Sequence, residues 1–402
     1  MRKKMNLMQV GIRISISIVL VLLVQAVFID RPEFRKIFGE DTLVRNVLEA
    51  IHPKRDDSKY LELTLKLSAD RSLYTAAIQL GSNKDEVNLL VDTGSADTLV
   101  ISSDAKCYID NRVYNAFNSC FDMGTYDLTR STTASGRIQD FNARFFDGHY
   151  SSGMVIKDAV HLSDSKVIDG FEFGIVNSTT TSNGILGISR TTQSNVASGY
   201  SNFPCALKKA GLINKLAYSI FLNNSDEGNI LFGAIDKAKY YGKLVFLPFA
   251  SSKFSSVTVT SINFGNGNSV KVNQAFLIDS GTTFINVNAA IYNDILNNFE
   301  GERTSNNKLV VDCNQPADRF YTFKFPGVSI KVPFTDLVTR AYDSTTGQFM
   351  DDCLLAVTQN PTMLILGANF MRHAYLAFDL ERKRIGIAQA NYTSESNIVS
   401  FP

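Results

Sequence analysis

Two short acidic motifs carry the strongest chemical signal in this sequence. In the first, Leu89-Leu90-Val91 runs into Asp92-Thr93-Gly94-Ser95, and in the second, Phe276-Leu277-Ile278 runs into Asp279-Ser280-Gly281-Thr282. An apolar run ending in Asp-Thr-Gly or Asp-Ser-Gly sets a carboxylate on a tight turn at the end of a buried strand. Glycine lets the backbone fold close there, and the hydroxyl can hydrogen-bond across to a second such turn. Two turns of this kind can face each other. Carboxylates held about 3 Å apart cannot both ionise readily, so they share one proton. The ionised member can take a proton from a bound water while the protonated member donates to a carbonyl oxygen. Those are the two halves of amide hydrolysis, with no covalent intermediate, metal or other cofactor. Either triplet alone is also an ordinary surface turn. The apolar runs leading into both argue against that reading here.

Other chemistries have less support. The four histidines, His52, His149, His161 and His373, lack H-E-x-x-H or any other ligand spacing, so no metal is expected. There is no G-x-S-x-G elbow, no phosphate-binding glycine loop and no C-x-x-C pair.

The elements that must position the two acids recur as well. Each acidic turn is followed far downstream by an apolar-apolar-Gly element, Gly184-Ile185-Leu186-Gly187 in the first half and Leu364-Ile365-Leu366-Gly367 in the second. The separations match: Gly187 lies 95 residues after Asp92, and Gly367 lies 88 after Asp279. Two lobes of related architecture are the simplest account, 56–242 and 243–402. Short alternating or β-branched runs broken by Gly, Asn, Asp and Ser, as in Leu73–Leu80, Val87–Val91 and Lys243–Leu247, predict a mostly β fold. Helices are predicted only over Ala206–Gly211, Ala289–Phe299 and Pro333–Tyr342.

The chain has 402 residues, 45% hydrophobic and 20% charged, which fits a globular protein with room for two cores. A formal net charge of +1, with no long basic block beyond the extreme N-terminus, argues against a nucleic-acid partner. Arg2, Lys3 and Lys4 precede the apolar run Ile18–Val24, and Val24-Gln25-Ala26 offers small or medium residues where a signal peptidase reads. Residues 1–26 are therefore expected to be a secretory signal. The alternative is a membrane anchor, but Ile14–Ile29 gives 16 residues, short of the roughly 20 that span a bilayer. Residues 27–55 are expected to be a propeptide, an amphipathic stretch ending in the dibasic pair Lys54-Arg55, although such pairs also occur as plain solvated surface. Residues 1–55 carry ten Lys/Arg and five Asp/Glu, leaving 30 basic against 34 acidic groups and a formal net charge of −4. In an oxidising compartment the five cysteines, Cys107, Cys120, Cys205, Cys313 and Cys353, count as two disulfides and one free thiol. Sequons at Asn177, Asn223 and Asn391 agree with secretion.

The motifs VDTGSADT (Val91–Thr98) and IDSGTT (Ile278–Thr283) resemble the two active-site signatures of pepsin-like aspartic proteases, and the likeness runs from about residue 58 to the C-terminus. FGAIDKAKYYGKL (Phe232–Leu244), VDCN (Val311–Asn314) and LILGANFMRHAYLAFDLERKRIGIAQANYT (Leu364–Thr393) resemble the fungal candidapepsins, yapsins and barrierpepsin in particular. The resemblance implies a bilobal fold with the active-site cleft between the lobes and Asp92 and Asp279 as the catalytic pair. Ser95 and Thr282 would buttress the outer oxygens of the aspartates, Thr93 and Ser280 would hold the lobes in register, and Gly94 and Gly281 would approach the substrate backbone. It further implies disulfides Cys107–Cys120 and Cys313–Cys353, with Cys205 left free. The implied enzyme is a monomeric, secreted aspartic endopeptidase, extracellular or in the cell wall, whose partners are peptide or protein substrates. It needs no cofactor, and no membrane anchor is expected once the signal is removed. Because the chain stops at Pro402 without a hydrophobic tail, a C-terminal lipid anchor is not expected either.

The flap departs from the family pattern. Phe145-Phe146-Asp147-Gly148-His149 stands where members usually read Tyr-Gly-Asp-Gly-Ser. Leu99 stands where an indole usually follows the first motif, and the chain has no Trp. Both ends of one hydrogen bond are therefore absent together. Yapsin-like members tend to prefer basic substrates, which calls for acids in the cleft, and Asp147 is the only candidate. The competing reading is a catalytically weak or inactive member that binds peptides in the cleft; the intact pair of triplets favours activity. A structural cell-wall glycoprotein rests on the sequons alone.

Overall fold

The computed structural model describes residues 59–402 except 69–70, 110–111, 114–119, 146–147, 164–165, 195–200, 224–225, 298, 300, 304–308, 344–345 and 347. The expected signal and propeptide, Lys54 and Arg55, and Asp147 all lie outside the described residues. Everything below concerns the unit Ser58–Pro402.

The expected alternation is visible from the first strand. In Leu61–Leu67 the residues Leu61, Leu63 and Leu65 are buried while Glu62, Thr64 and Lys66 face solvent. Two strands break this rule in an informative way, since every residue of Ala217–Leu222 and of Ala374–Asp379 is buried. They pair with each other, Ala217 opposite Asp379 through to Ile220 opposite Leu376. Strands covered on both faces read as continuous apolar runs. This pair joins the two halves of the chain into one sheet. Leu61–Leu67, Glu227–Phe232 and Ala217–Leu222 come from the first half, and Ala374–Asp379, Arg384–Gln389 and Val245–Pro248 from the second. The rings of Tyr218 and Phe378 stack across the seam with centroids 4.8 Å apart. The last strand, Ile398–Ser400, returns to pair with Ala234–Asp236 of the first half.

Above this floor each half builds the same loop around its acidic motif. Strand Asp85–Asp92 runs parallel to Ile185–Gly187, with Leu90 opposite Ile185 and Asp92 opposite Gly187. That short strand also pairs antiparallel with Thr98–Ile109. In the second half Ser269–Ile278 runs parallel to Ile365–Leu366, which also meets Ile285–Val287 through Asn286. The downstream apolar-apolar-Gly element is thus a strand threaded between the two arms of the acidic turn. Its glycine is required by close approach. A Cβ on Gly187 would lie 2.5 Å from the backbone N and O of Asp97, and one on Gly367 would run into Phe284 O and come within 2.5 Å of Thr282 O.

Two helices form near their expected positions. Phe203–Lys209 is capped by Asn202, whose side chain accepts from Cys205 N, and Ala289–Leu296 by Asn288, which accepts from Ile291 N. The helix expected over Pro333–Tyr342 does not form. Phe334–Leu337 makes one 3-10 turn, and Val338–Asp343 is a strand paired with Gln348–Leu355. Phe334 and Leu337 are three apart, so a single tight turn buries both, with Phe334 edge-on to Tyr321 at 4.6 Å. β-Branched Val338 and Thr339 then favour extended backbone. Each half carries one disulfide, Cys107–Cys120 and Cys313–Cys353. Cys205 is free and half-buried, and burial pushes its thiol pKa up.

The threaded glycines give a stability test. Gly367→Ala should lower stability by about 1–3 kcal/mol, because the atoms it meets are backbone and cannot swing aside. Gly136→Ala, where a Cβ meets nothing within 4 Å, should stay within about 0.5 kcal/mol of wild type. Thermal midpoints of the two variants compare the effects directly.

Candidate active site

Both acidic turns deliver their carboxylates to the same place. Asp92 and Asp279 are 8% and 5% exposed, and their hydrogen bonds are near mirror images. Gly94 N donates to Asp92 Oδ1 at 2.7 Å, and Gly281 N to Asp279 Oδ1 at 2.9 Å. On the outer oxygens, the Ser95 hydroxyl donates to Asp92 Oδ2 and the Thr282 hydroxyl to Asp279 Oδ2, the latter at 2.7 Å. Each glycine lies against the opposite aspartate. A Cβ on Gly94 would fall 2.5 Å from Asp279 Oδ1, and one on Gly281 would fall 2.7 Å from Asp92 Oδ1.

The second residue of each turn ties the two halves together. Thr93 Oγ1 donates to Ile278 O at 2.9 Å and accepts from Ser280 N at 2.9 Å. Ser280 Oγ in turn donates to Val91 O at 2.6 Å and accepts from Thr93 N at 3.1 Å. All four bonds cross between the halves, and both side chains are fully buried. Unmade, these buried groups would each cost about 1–3 kcal/mol, so the two turns hold each other in place.

Burial raises the Asp279 pKa well above the usual carboxylate range, and the charge of Asp92 and a hydrogen bond to it add to the rise. The bonds from Thr282 and Gly281 favour the charged form and are outweighed. The arrangement therefore favours a proton on Asp279, and a carboxyl pair that shares one proton can deprotonate a water and protonate a carbonyl oxygen.

The pair opens into a cleft of about 760 Å³. Phe145 overlooks it from the turn between strands Gln139–Arg144 and Tyr150–Ser163, where Phe145 N donates to His149 O at 2.9 Å. Phe145 packs on the small apolar cluster that contains Leu99 and Phe141. Leu99 is 2% exposed and shares its space with Phe141 beside Gly174, where an added Cβ would lie 2.8 Å from Leu99 Cδ2 and 2.7 Å from Phe141 Cε1. Phe141 and Leu99 belong to the cluster on which Phe145 packs, so the ring at the hairpin meets an apolar surface.

Some participants were invisible to sequence reasoning. Gln193 Nε2 donates to Gly94 O at 2.5 Å, and its Oε1 accepts from Ser189 Oγ at 2.5 Å. Ser189 Oγ also meets Ser255 Oγ of the second half at 3.2 Å. Gln193 lies 99 residues from Gly94, in no motif, and only the fold brings them together. The sequon residues stand apart from the cleft lining. Asn177 is exposed, Asn223 is half-buried, and the Asn391 amide donates to Ala238 O at 2.9 Å.

The profile of the eukaryotic aspartyl protease family matches residues 73–390. This chain belongs to that family. Secreted aspartic protease 6 of Candida albicans is 36% identical over 345 residues, covering 84% of this chain and 81% of the relative. Candidapepsin of Candida tropicalis is 36% identical over 329 residues, 81% of each chain. The crystal structure of the aspartic proteinase from Irpex lacteus shares the fold, with a TM-score of 0.68 at 20% identity over 84% of this chain and all of that one. The family's activity is aspartic-type endopeptidase, and its substrates are peptides and proteins. Among the described residues no helix is long and apolar enough to cross a membrane, and no group of three or more His, Cys, Asp or Glu could hold a metal ion.

The packing beneath the hairpin predicts the outcome of one flap substitution. Phe145→Tyr alone should leave kcat/KM unchanged or lower on a peptide substrate, because the hydroxyl is added to a ring that packs on the apolar cluster containing Leu99 and Phe141. A gain of several-fold would show that a polar partner waits there.

Proposed function

We propose that this protein is a secreted aspartic endopeptidase in which Asp92 and Asp279 together activate a water for attack on a peptide carbonyl. The observation that carries the reading is the pair of buried carboxyl groups, each held by its own turn and each lying against the glycine of the other. Ser95 and Thr282 orient the outer oxygens, Thr93 and Ser280 keep the carboxyls in register, and Gly94 and Gly281 leave room above them. Phe145, with Asp147 and Gly148, forms the flap that covers the bound peptide. The chemistry calls for no cofactor or metal.

Secretion is supported by the relatives named as secreted proteases and by the basic-apolar start of the sequence. On this reading residues 1–26 are removed as the signal and 27–55 as the propeptide. The lobes 56–242 and 243–402 remain as the mature monomer, and glycans on Asn177, Asn223 and Asn391 are the expected modification. N-terminal sequencing of the secreted protein should begin at Asp56, directly after Lys54-Arg55.

Asp92→Asn and Asp279→Asn should each abolish peptidase activity while leaving the protein folded, since neither proton transfer proceeds without its acid. Near-normal turnover by either variant would sink the assignment. Stability provides a second readout. The Asp279 carboxyl holds its proton in the folded state above the value of about 3.9 for an unfolded aspartate, so the stability it contributes is full in acid and lost as pH rises. Asp279→Asn should therefore have a higher Tm than wild type at neutral pH, with the difference shrinking towards pH 4 and below. Wild-type activity should fall on the alkaline side as the same proton leaves.

A further inference from the structure

The cleft contains an unexpected distribution of charge. Its only carboxyl groups among the described lining residues are Asp92 and Asp279, which share a proton, whereas Arg144, His149 and Lys253 bring basic side chains. Among the described lining residues this is the reverse of the acidic lining that a preference for basic substrates calls for. Neither Arg144 nor Lys253 is in an ion pair with a described residue, and both are exposed.

The two cations reach the cleft from different halves of the molecule, and each is presented by ordered backbone. Arg144 is the last residue of strand Gln139–Arg144, paired with Tyr150 and adjacent to Phe145. Phe141 and Ala143 turn inward to the apolar cluster, so period-2 alternation turns Asn142 and Arg144 outward. Lys253 sits in a short loop of the second half that the first half holds by its backbone. Thr192 Oγ1 donates to Lys253 O at 3.0 Å, and Arg190 Nη1 donates to Ser251 O at 3.2 Å. Within the loop, Ser251 Oγ accepts from both Lys253 N and Phe254 N at 3.1 Å. The Lys253 ammonium lies 5.2 Å from the centre of the Phe254 ring, and both residues line the cleft.

We propose that this cleft selects peptides carrying acidic side chains near the scissile bond, with Arg144 and Lys253 as specificity-determining residues. The inference rests on the endopeptidase reading above. A peptide threaded between the halves would pass both cations. An anionic side chain in the cleft meets positive charge that no described carboxylate pairs with, and a cationic one meets it as like charge in a cleft that focuses the field. Partly exposed pairs of this type are each worth about two- to fivefold in affinity.

The test uses enzyme secreted from the full-length chain and, for each position tested, a set of four matched peptides that share one cleavable sequence. They place Asp, Asn, Lys or phosphoserine at each position flanking the bond in turn; phosphoserine stays anionic even where Asp begins to protonate. The expected order of kcat/KM at one or more flanking positions is phosphoserine and Asp above Asn, and Asn above Lys, with the Asp-to-Lys ratio at least about fivefold and smaller at high salt. Lys253→Glu and Arg144→Glu should shrink or reverse that ratio. Cleavage of the Asn peptide with no Asp-over-Lys preference at any position overturns the charge proposal and leaves the endopeptidase reading intact. A preference that survives both charge reversals unchanged overturns the assignment of Arg144 and Lys253. Failure to cleave any of the peptides overturns the endopeptidase reading, and this one with it.

Discussion

Two carboxyl groups buried side by side repel each other as soon as both ionise, and the rest of the molecule is organised around keeping them together. No single element could do this, because each aspartate stands at the end of its own strand in its own half of the chain. The crossed bonds of Thr93 and Ser280 solve the problem locally by making each turn the hydrogen-bonding partner of the other. Further out, the strand threaded between the arms of each turn fixes the height of the carboxylate, and the sheet common to both halves fixes the distance between them. The site is as rigid as the seam beneath it.

Much of this was legible in the sequence, for a physical reason. The acidic turns, the threaded apolar-apolar-Gly elements and the strands feeding them are all short-range patterns, set by burial and by glycine where two backbones nearly touch. The pairing of Ala217–Leu222 with Ala374–Asp379 was not legible. An all-buried strand has no alternation to read, and nothing local says which distant strand will cover it. The segment Pro333–Tyr342 misled because two core residues three apart look alike whether the turn that presents them continues or stops. Gln193, Arg144 and Lys253 were missed because their importance comes from what the fold sets beside them rather than from any spacing of their own.

The ring of Phe145 lines the same cleft as the two acids and packs on an apolar cluster, so its contact is one of shape rather than of a directed bond. Orientation at the site then rests more heavily on the polar groups of the walls. Gln193, held by Ser189 and gripping Gly94 O, is the best placed of these.

The sheet that spans both halves also has a meaning in time. During synthesis the first half emerges long before the strands that cover it, and residues 396–397 bond Asp236 across some 160 residues of sequence. At typical elongation rates of about 5–20 residues per second, that interval lasts roughly ten to thirty seconds. Throughout it, strand Ala217–Leu222 has an open edge where Ala374–Asp379 will later pair, and its side chains are apolar over most of their length. The feature that makes the finished active site rigid is therefore, in the nascent chain, an unpaired and sticky edge until Ala374–Asp379 has been made and can pair with it.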